Sequence, residues 1–381
     1  MTNLTPIINE RVPKDKQILL YLAGYCAQRE GYGIYAVGEF IRDLLLFRNN
    51  KRVSLLVDGS AVDYAKSLQK LFSGRLQVQE RYGTATFFLQ CGTVFDLATA
   101  RREFSFLDEN PSTEHTFLKN DLFSRDFTIN ALACSLNPDK FGLLYDLFNG
   151  KEDLEQGIIR ILYKLSFVDD PLRIVRAIRF EQRFHFTIEE ETLNLLTKAA
   201  ANRLLNRISK ERLYHDVLKI FREPSPLVVI YRLEELELLN EVFPRIPFGS
   251  QLFNRLELLE ELFQVNRSEQ DVGSGEDSAL FRLDKVNPTV LYLTLFFNEM
   301  TEHDVKYLIY LMRLRKKERD KIFFLRKLIP GVLEKLRSNS LTKELLKDLP
   351  EEAFPLLLIY GQDNVATREK LYRQLTKCRV S

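Results

Sequence analysis

Residues 37–46 read VGEFIRDLLL and carry the first indication of the fold. Residues 32–37 form a short apolar run of β type that ends at Gly38, and residues 40–47 have the apolar spacing of a helix. A glycine between a strand and a helix lets backbone N–H groups approach phosphate oxygens. Arg42, one helical turn later, can add a charged hydrogen bond. The segment therefore predicts a strand–turn–helix unit suited to a phosphate group.

The residues around this segment mix strand and helix patterns up to about position 150. We predict helices over 14–30 and 61–72, and strands over 53–57, 84–90 and 93–98. These elements favour one small sheet with helices. Beyond residue 150 the pattern is helical, so the predicted class is α+β, a head with a small mixed sheet followed by an all-helical part. The later helices are predicted over 162–180, 189–201, 209–221, 226–239, 304–314, 316–328 and 342–349.

Composition narrows the class of protein. The chain has 381 residues, 45% of them apolar and 28% charged, and it has no uncharged apolar run of membrane-spanning length. The first 16 residues lack the apolar core of a signal peptide. Four cysteines and four histidines are scattered, which argues against a zinc site or a disulfide framework. We therefore expect no membrane partner and a cytoplasmic location.

Two surface stretches stand out after residue 260. Residues 266–277 are rich in Ser, Gly, Glu and Asp and predict a mobile loop. A basic run further on is either a solvated helix face or a phosphate-contacting surface. The net charge of +2 does not decide between these alternatives. The residues of the run that we select as candidates for RNA binding are Arg313, Arg315, Lys316 and Lys317.

Three further motifs follow in order. They are DLATARRE at 96–103, DLFSRDFTINA at 121–131 and DDPLRIVRAIRF at 169–180. Together with residues 37–46 they resemble the tRNA nucleotidyltransferase/poly(A) polymerase family, in its bacterial class II branch. The corresponding family patterns are VGGxVRDLLL, DLxRRDFTINA and EDPxRxxRAxRF. The resemblance is strong over about residues 35–221 and weaker to about residue 375.

The resemblance implies an architecture of head, neck, body and tail. The expected bounds are 1–155 for the nucleotidyltransferase-like head, 156–222 for the helical neck, 223–300 for the body with its loop, and 301–381 for the tail. The head would hold a five-stranded sheet. Longer relatives continue further, so the tail is expected to be incomplete. Such proteins add C or A residues to an RNA 3′ end, and CCA-adding, A-adding and poly(A) activities share these motifs.

The resemblance also assigns roles to single residues. In the family, an Asp-x-x-Arg pair reads the pairing edge of a base, and Asp170 and Arg173 match it. Arg176 and Arg179 extend that positive stripe. Residues that match nucleotide contacts, including those to the ribose, are Arg125, Asp126 and Asn130, and the glycine turn adds Gly38, Arg42 and Asp43. Without the resemblance, Asp170–Arg173 would be read as an ordinary helix pair and Asp126 and Asn130 as structural caps.

The sequence departs from the family where catalytic metal ions are held. Nucleotidyl transfer in this superfamily uses two metal ions, held by an Asp-x-Asp on the strand after the first helix. Residues 51–59 read KRVSLLVDG, and the two aspartate positions fall on Arg52 and Ser54. At about 4 Å and an effective dielectric of 20, an arginine would repel a divalent ion by roughly 8 kcal/mol. Asp96 remains as a candidate catalytic carboxylate.

Two more departures affect the same function. Glu39 replaces the second glycine of VGG, and Ser124 replaces the first arginine of RRD. We expect an inactive or strongly impaired protein that binds RNA, in particular the tRNA 3′ end, and that needs no cofactor. Its further partners would be ATP or CTP, or an active homologue.

Two alternatives stay open. One is an active nucleotidyltransferase that uses Mg²⁺ with ligands from Asp96, Asp58 or Glu39. The other is an interaction subunit without an RNA role.

Overall fold

The structure is a computed structural model that describes residues 2–100, 116–271, 283, 286–338, 340, 345–346 and 348–361. The chain folds as two compact units. The first comprises Met1–Asp169 and Phe184–Leu195, and the second comprises Asp170–Arg183 and Leu196–Ser381. The predicted class, α+β with a mixed sheet near the N-terminus and helices after it, is confirmed. The division into head, neck, body and tail stays a prediction.

The first unit is built on a seven-stranded sheet with the order β3-β4-β5-β2-β1-β6-β7. Only β2 and β5 of this sheet pair in parallel. The five strands implied by the resemblance are therefore too few. The strands are β1 (Gly33–Val37), β2 (Arg52–Asp58), β3 (Gly74–Gln79), β4 (Thr84–Leu89), β5 (Val94–Thr99), β6 (Leu132–Ser135) and β7 (Leu144–Asp146).

Three helices of the first unit, α2, α3 and α4, agree with their predicted positions to within two residues. A short parallel pair, β8 (Ile158–Ile159) with β9 (Thr187–Ile188), lies outside the main sheet. The helices are α1 (Thr5–Arg11), α2 (Lys14–Arg29), α3 (Glu39–Leu45), α4 (Ala61–Leu71), α5 (Thr116–Phe123), α6 (Gly150–Gln156) and α7 (Ser166–Asp169).

Alternation along the strands gives the sheet two different faces. Val53, Leu55 and Val57 of β2 belong to the larger core, together with buried residues of α2 and α4. Leu56, on the opposite face, packs in a smaller cluster with Leu122 of α5. Arg52 and Ser54 share the face of Leu56, because they precede it by four and two residues. The smaller cluster leaves these two residues at least partly open to solvent.

The later part of the chain is helical. Its core is aromatic, with Phe221 stacked on Tyr292 and packed edge-on against Phe296. None of the described helices is long and apolar enough to cross a membrane. The helices are α8 (Leu172–Phe184), α9 (Glu190–Ala201), α10 (Lys210–Val217), α11 (Pro226–Glu235), α12 (Leu239–Val242), α13 (Ser250–Asp271), α14 (Pro288–Asn298), α15 (Glu302–Met312), α16 (Lys316–Arg337) and α17 (Ala353–Gly361).

Four predicted elements need correction. The helix predicted over 226–239 ends at Glu235, and α12 begins at Leu239. The helix predicted over 162–180 is two helices, α7 and α8, because Pro171 disfavours helical backbone at the residue before it. The loop predicted over 266–277 begins later, since α13 continues to Asp271, and residues 272–277 lie outside the described residues. Only fragments of the helix predicted over 342–349 are described, and residues 362–381 of the predicted tail lie outside the description.

Candidate nucleotide and RNA site

The two replaced aspartate positions lie beside Asp96. Strands β2 and β5 are parallel neighbours, and their register places Ser54 opposite Asp96. Arg52, two residues earlier on the same face, donates from Nε to Asp96 Oδ2 at 2.8 Å and from Nη2 to Oδ1 at 2.6 Å. Thr86 of β4 donates its hydroxyl to Oδ1 at 3.0 Å. Both carboxylate oxygens of Asp96 therefore accept hydrogen bonds, in a bidentate pair with the guanidinium.

This arrangement does not fit a two-metal centre. Magnesium takes hard oxygen ligands, chiefly carboxylates, and here one carboxylate is already bound by a cation. The side chain of Arg52 is 53% exposed and that of Asp96 31%, so the pair contributes little to folding stability. Within the described ranges, no three His, Cys, Asp or Glu residues are grouped so that they could hold a metal ion.

The sequence also offers Asp58 and Glu39 as metal ligands. Asp58 is four residues beyond Ser54 on β2, which corresponds to about 13 Å along a strand. Because Asp96 pairs with Ser54, Asp58 is separated from Asp96 by this distance along the strand direction. Glu39 begins α3, and its Oε1 accepts a hydrogen bond from Arg42 Nη2 at 3.3 Å.

The glycine turn is formed as predicted from residues 37–46. Gly38 precedes α3 with a φ of +62°, a conformation that side-chain-bearing residues rarely adopt. A Cβ at this position would lie 2.4 Å from Arg125 Nη1. Gly38 therefore serves both the backbone geometry and the close approach of Arg125.

Arg42 is buried, with 1% of its surface exposed. Its Nε and Nη2 donate to Asp43 Oδ1 at 2.9 and 2.7 Å, and its Nη1 donates to Asn130 Oδ1 at 2.8 Å. Asp43 Oδ2 accepts a further hydrogen bond from Asn50 Nδ2 at 3.0 Å. In this structure Arg42 positions Asn130, and a direct contact between Arg42 and a phosphate stays a prediction.

The 121–131 motif supplies the next part of the same network. Arg125 donates from Nε and Nη2 to Asp121 Oδ2 at 3.1 and 2.8 Å. Asn130 donates from Nδ2 to Asp126 Oδ1 at 2.8 Å, and the same oxygen accepts the backbone N–H of Phe127 at 2.9 Å. These hydrogen bonds hold Asp126 and Asn130 against each other, and a contact of either residue with a nucleotide stays a prediction. The 96–103 motif is only partly described, because residues 101–103 lie outside the described residues.

The base-reading pair predicted from the sequence lies at the start of α8. The Asp170 carbonyl accepts the backbone N–H of Arg173 at 3.0 Å, so the two residues form the first turn. Asp170 Oδ1 accepts a hydrogen bond from Arg212 Nη2 at 3.3 Å. Arg212 was not predicted, because it lies 42 residues away on α10 and belongs to no motif.

Arg176 and Arg179 each face a carboxylate of the second unit. Arg176 Nε donates to Asp216 Oδ2 at 2.9 Å, and Arg179 Nε lies 3.5 Å from Glu223 Oε1. Burial raises the pKa of Asp216, but the hydrogen bond from Lys219 and the charge of Arg176 outweigh it, so the pKa is lowered overall. Burial lowers the pKa of Arg179. Neither acid could be found from sequence, since an isolated Asp or Glu on a helix carries no pattern.

The basic run lies between α15 and α16. Arg313 ends α15 in left-handed conformation, with φ of 47°, and Arg315 precedes the first turn of α16. Arg313, Arg315, Lys316 and Lys317 are all exposed, and Arg313 pairs with Glu211. Exposure suits a solvated face and a phosphate-binding surface equally, so the RNA contact stays a prediction.

Comparison with known protein families gives two matches along the chain. Residues 34–160 match the "Poly A polymerase head domain" and residues 185–248 match the "Probable RNA and SrmB- binding site of polymerase A". The first match contains the glycine turn, Arg52 and Asp96, and the second begins just after α8, which holds the predicted base-reading pair. The fold and these matches define the class: a head of poly(A) polymerase type and a helical segment similar to the probable RNA-binding site of polymerase A.

Curated relatives and solved structures specify the family further. An A-adding tRNA nucleotidyltransferase of Geobacter sulfurreducens is 35% identical over 260 residues, which is 68% of this chain and 29% of that protein. The enzyme of the same name from Halalkalibacterium halodurans is 31% identical over 262 residues, 68% of this chain and 61% of that protein. The chain thus spans less than two thirds of either relative.

The Thermotoga maritima CCA-adding enzyme complexed with tRNA superimposes with a TM-score of 0.75 at 32% identity. The match covers 99% of this chain and 86% of that chain. Structures of a CCA-adding enzyme with ATP and with CTP both give a TM-score of 0.77 at 32% identity. The chain belongs to the tRNA nucleotidyltransferase/poly(A) polymerase family.

Proposed function

We propose that this protein is a member of the family that binds RNA, with the tRNA 3′ end as its ligand, and does not add nucleotides. The observation that carries the proposal is the bidentate pair between Arg52 and Asp96. It puts a permanent cation on the one remaining carboxylate of the site.

At this face of the sheet a divalent ion would meet a guanidinium and a neutral hydroxyl. The ion would have to displace a guanidinium from Asp96, and Ser54 beside it offers only a neutral hydroxyl. Glu39 lies at the glycine turn, which is the predicted triphosphate site. Its carboxylate adds a negative charge where phosphate oxygens would lie.

Residues outside the metal face support RNA binding. Asp170 and Arg173 form the first turn of α8, and the four exposed cations from Arg313 to Lys317 offer a basic surface. A related CCA-adding enzyme is described in complex with tRNA, and others with ATP and CTP. By this relationship we propose tRNA as the main ligand and ATP or CTP as weaker ones.

A gain-of-function variant tests the catalytic part of the proposal. In Arg52→Asp/Ser54→Asp/Glu39→Gly the cation is removed, and two carboxylates join Asp96. We expect incorporation of labelled ATP or CTP into tRNA lacking its CCA end to rise from none to a measurable rate. The matched control is Arg75→Asp/Ser73→Asp/Glu80→Gly, which makes the same exchanges in and beside β3, and it should stay inert.

The proposal loses its basis if the triple variant folds and binds tRNA but remains inert. The metal face would then not be what prevents nucleotide addition. Folding is checked by thermal melting and tRNA binding by filter retention in the same preparation, so that misfolding cannot be mistaken for this result.

A further inference from the structure

A concave site in the first unit is lined by the end of α1, the start of α2, and α3 with the loop that follows it. It encloses about 250 Å³. Among the described residues that line it, none belongs to the predicted nucleotide-binding set. Its polar lining comprises Glu10, Arg11, Lys16, Arg48, Asn49 and Asn50.

The charge of this pocket is positive. Arg11, Lys16 and Arg48 supply three cations, while Glu10 supplies one carboxylate, which lies 3.4 Å from Arg11 Nη2. The local balance is therefore +2. A concave surface with a net positive charge favours a ligand of the opposite sign.

Lys16 is the best-placed cation. It is partly buried in the first turn of α2, and its Nζ donates to the backbone carbonyl of Asn50. An ammonium group has three N–H donors, so Lys16 can also donate to a ligand while it keeps this bond. Burial lowers the pKa of Lys16, and an anion beside the ammonium would offset this effect.

An aromatic ring forms part of the pocket wall. Phe47 has a φ of +60°, which is strained for an aromatic residue, and its side chain is 65% exposed. The guanidinium of Arg11 lies over its ring, 3.3 Å from the centroid. Phe40 and Leu44 add apolar surface. The lining therefore combines cations for an anionic group with a flat apolar surface on which a planar ring can stack.

We propose that this pocket binds the terminal phosphoryl group of a nucleotide. Lys16 and Arg48, whose guanidinium lies 4.8 Å from the ring centroid of Phe184, contact the phosphoryl oxygens. Arg11 contributes its charge, and the base lies against the face of the Phe47 ring that Arg11 does not cover. The same phosphoryl chemistry is present in a free mononucleotide and at the 5′ end of an RNA. The pocket is separate from the function proposed above, and it would remain if that proposal failed.

The test is a titration that follows two residues of this pocket. Because Asn50 also hydrogen-bonds Asp43 of the predicted nucleotide-binding set, the variants below assign the shifts to the pocket. The amide signals of Asn49 and Asn50 are followed by NMR while AMP is added to the full chain. We expect both signals to shift with saturation. Lys16→Gln should weaken the apparent affinity by at least about tenfold, because a charge-assisted hydrogen bond contributes that much. Lys14→Gln, two residues earlier on the exposed side of α2, should leave the affinity unchanged.

A second variant protects the test against a folding defect, since Lys16 also holds Asn50. Arg11→Gln changes an exposed side chain of the same pocket and should weaken AMP in the same direction. The proposal is overturned if AMP leaves both asparagine signals unmoved. It is equally overturned if a folded Lys16→Gln or Arg11→Gln binds AMP as the unmodified protein does, or if Lys14→Gln loses as much affinity.

Two RNA oligonucleotides of the same sequence distinguish the source of the phosphoryl group. If the 5′-phosphorylated form shifts the asparagine signals at lower concentration than AMP does, the ligand is an RNA end. If AMP acts at the lower concentration, the ligand is a free nucleotide. Equal shifts with the 5′-hydroxyl form would contradict recognition of a terminal phosphoryl group.

Discussion

At the scale of single residues, the substitution pattern could be read from the sequence but its consequence could not. The positions of Arg52 and Ser54 follow from the order of the motifs. That Arg52 lies across both oxygens of Asp96, 44 residues away in sequence, depends on the parallel pairing of β2 with β5. Burial of Arg42 was likewise missed, because an arginine after a glycine turn carries no sign of whether it faces solvent.

The buried pair of Arg42 and Asp43 gives a prediction at this scale. Arg42→Met would leave the Asp43 carboxylate, which is 3% exposed, without its guanidinium. We expect a loss of about 3–5 kcal/mol in the free energy of unfolding, because an uncompensated buried charge is costly. Chemical denaturation measures it.

A double variant serves as the control for that prediction. In Arg42→Met/Asp43→Asn the orphaned charge is absent, and part of the lost stability should return. If the double variant is no more stable than Arg42→Met alone, the ion pair is not the source of the loss.

At the scale of elements, agreement with the sequence depended on how strongly each pattern repeats. Strands β1, β2, β4 and β5 have apolar runs or clear alternation and were predicted. Strand β3, with mostly polar and exposed residues, was missed, and so were β6 and β7, with four and three residues. Short strands give too few residues for a period of two to be recognised. The break at Pro171 could have been predicted from the proline alone.

The contact between α8 and α10 gives a pH prediction. The pKa of Asp216 is lowered in the folded state, so its stabilising effect is present above the ordinary carboxyl pKa and is lost as pH falls through the folded-state value. We expect the free energy of unfolding to fall less between pH 7 and pH 3 in Asp216→Asn than in the unmodified protein. Denaturation at several pH values measures this, with the exposed Asp139→Asn as control.

An identical pH dependence in Asp216→Asn and the unmodified protein would count against this account of Asp216. The acid-sensitive stability would then come from other carboxylates. Asp139→Asn should behave like the unmodified protein in either case, because Asp139 is exposed on a short turn.

At the scale of the whole molecule, the family could be recognised from four motifs. Whether the helical part binds RNA could not be predicted from them. Motifs record residues with fixed roles, but a surface that binds phosphates needs only positive charge, which many arrangements of Arg and Lys provide. Binding of RNA phosphates by the basic run from Arg313 to Lys317 must therefore be measured. Its exposure at the junction of α15 and α16 makes the contact sterically feasible.

Salt dependence of tRNA binding tests this surface. Arg315→Gln/Lys316→Gln/Lys317→Gln should weaken tRNA binding and reduce the slope of log affinity against log salt by up to about 3, since each phosphate contact contributes about 0.9. The control Lys14→Gln/Lys70→Gln/Lys140→Gln removes the same charge from exposed positions of the first unit. An equal change in both variants would mean that only net charge matters.

The most direct test of the central claim is incorporation of labelled ATP and CTP into tRNA that lacks its CCA end, at high protein concentration, with magnesium and then with manganese. The pair between Arg52 and Asp96 predicts no incorporation with either metal, together with salt-sensitive tRNA binding in the same preparation. Incorporation that disappears in Asp96→Ala would contradict the account, because Asp96 would then serve catalysis in spite of the arginine that covers it.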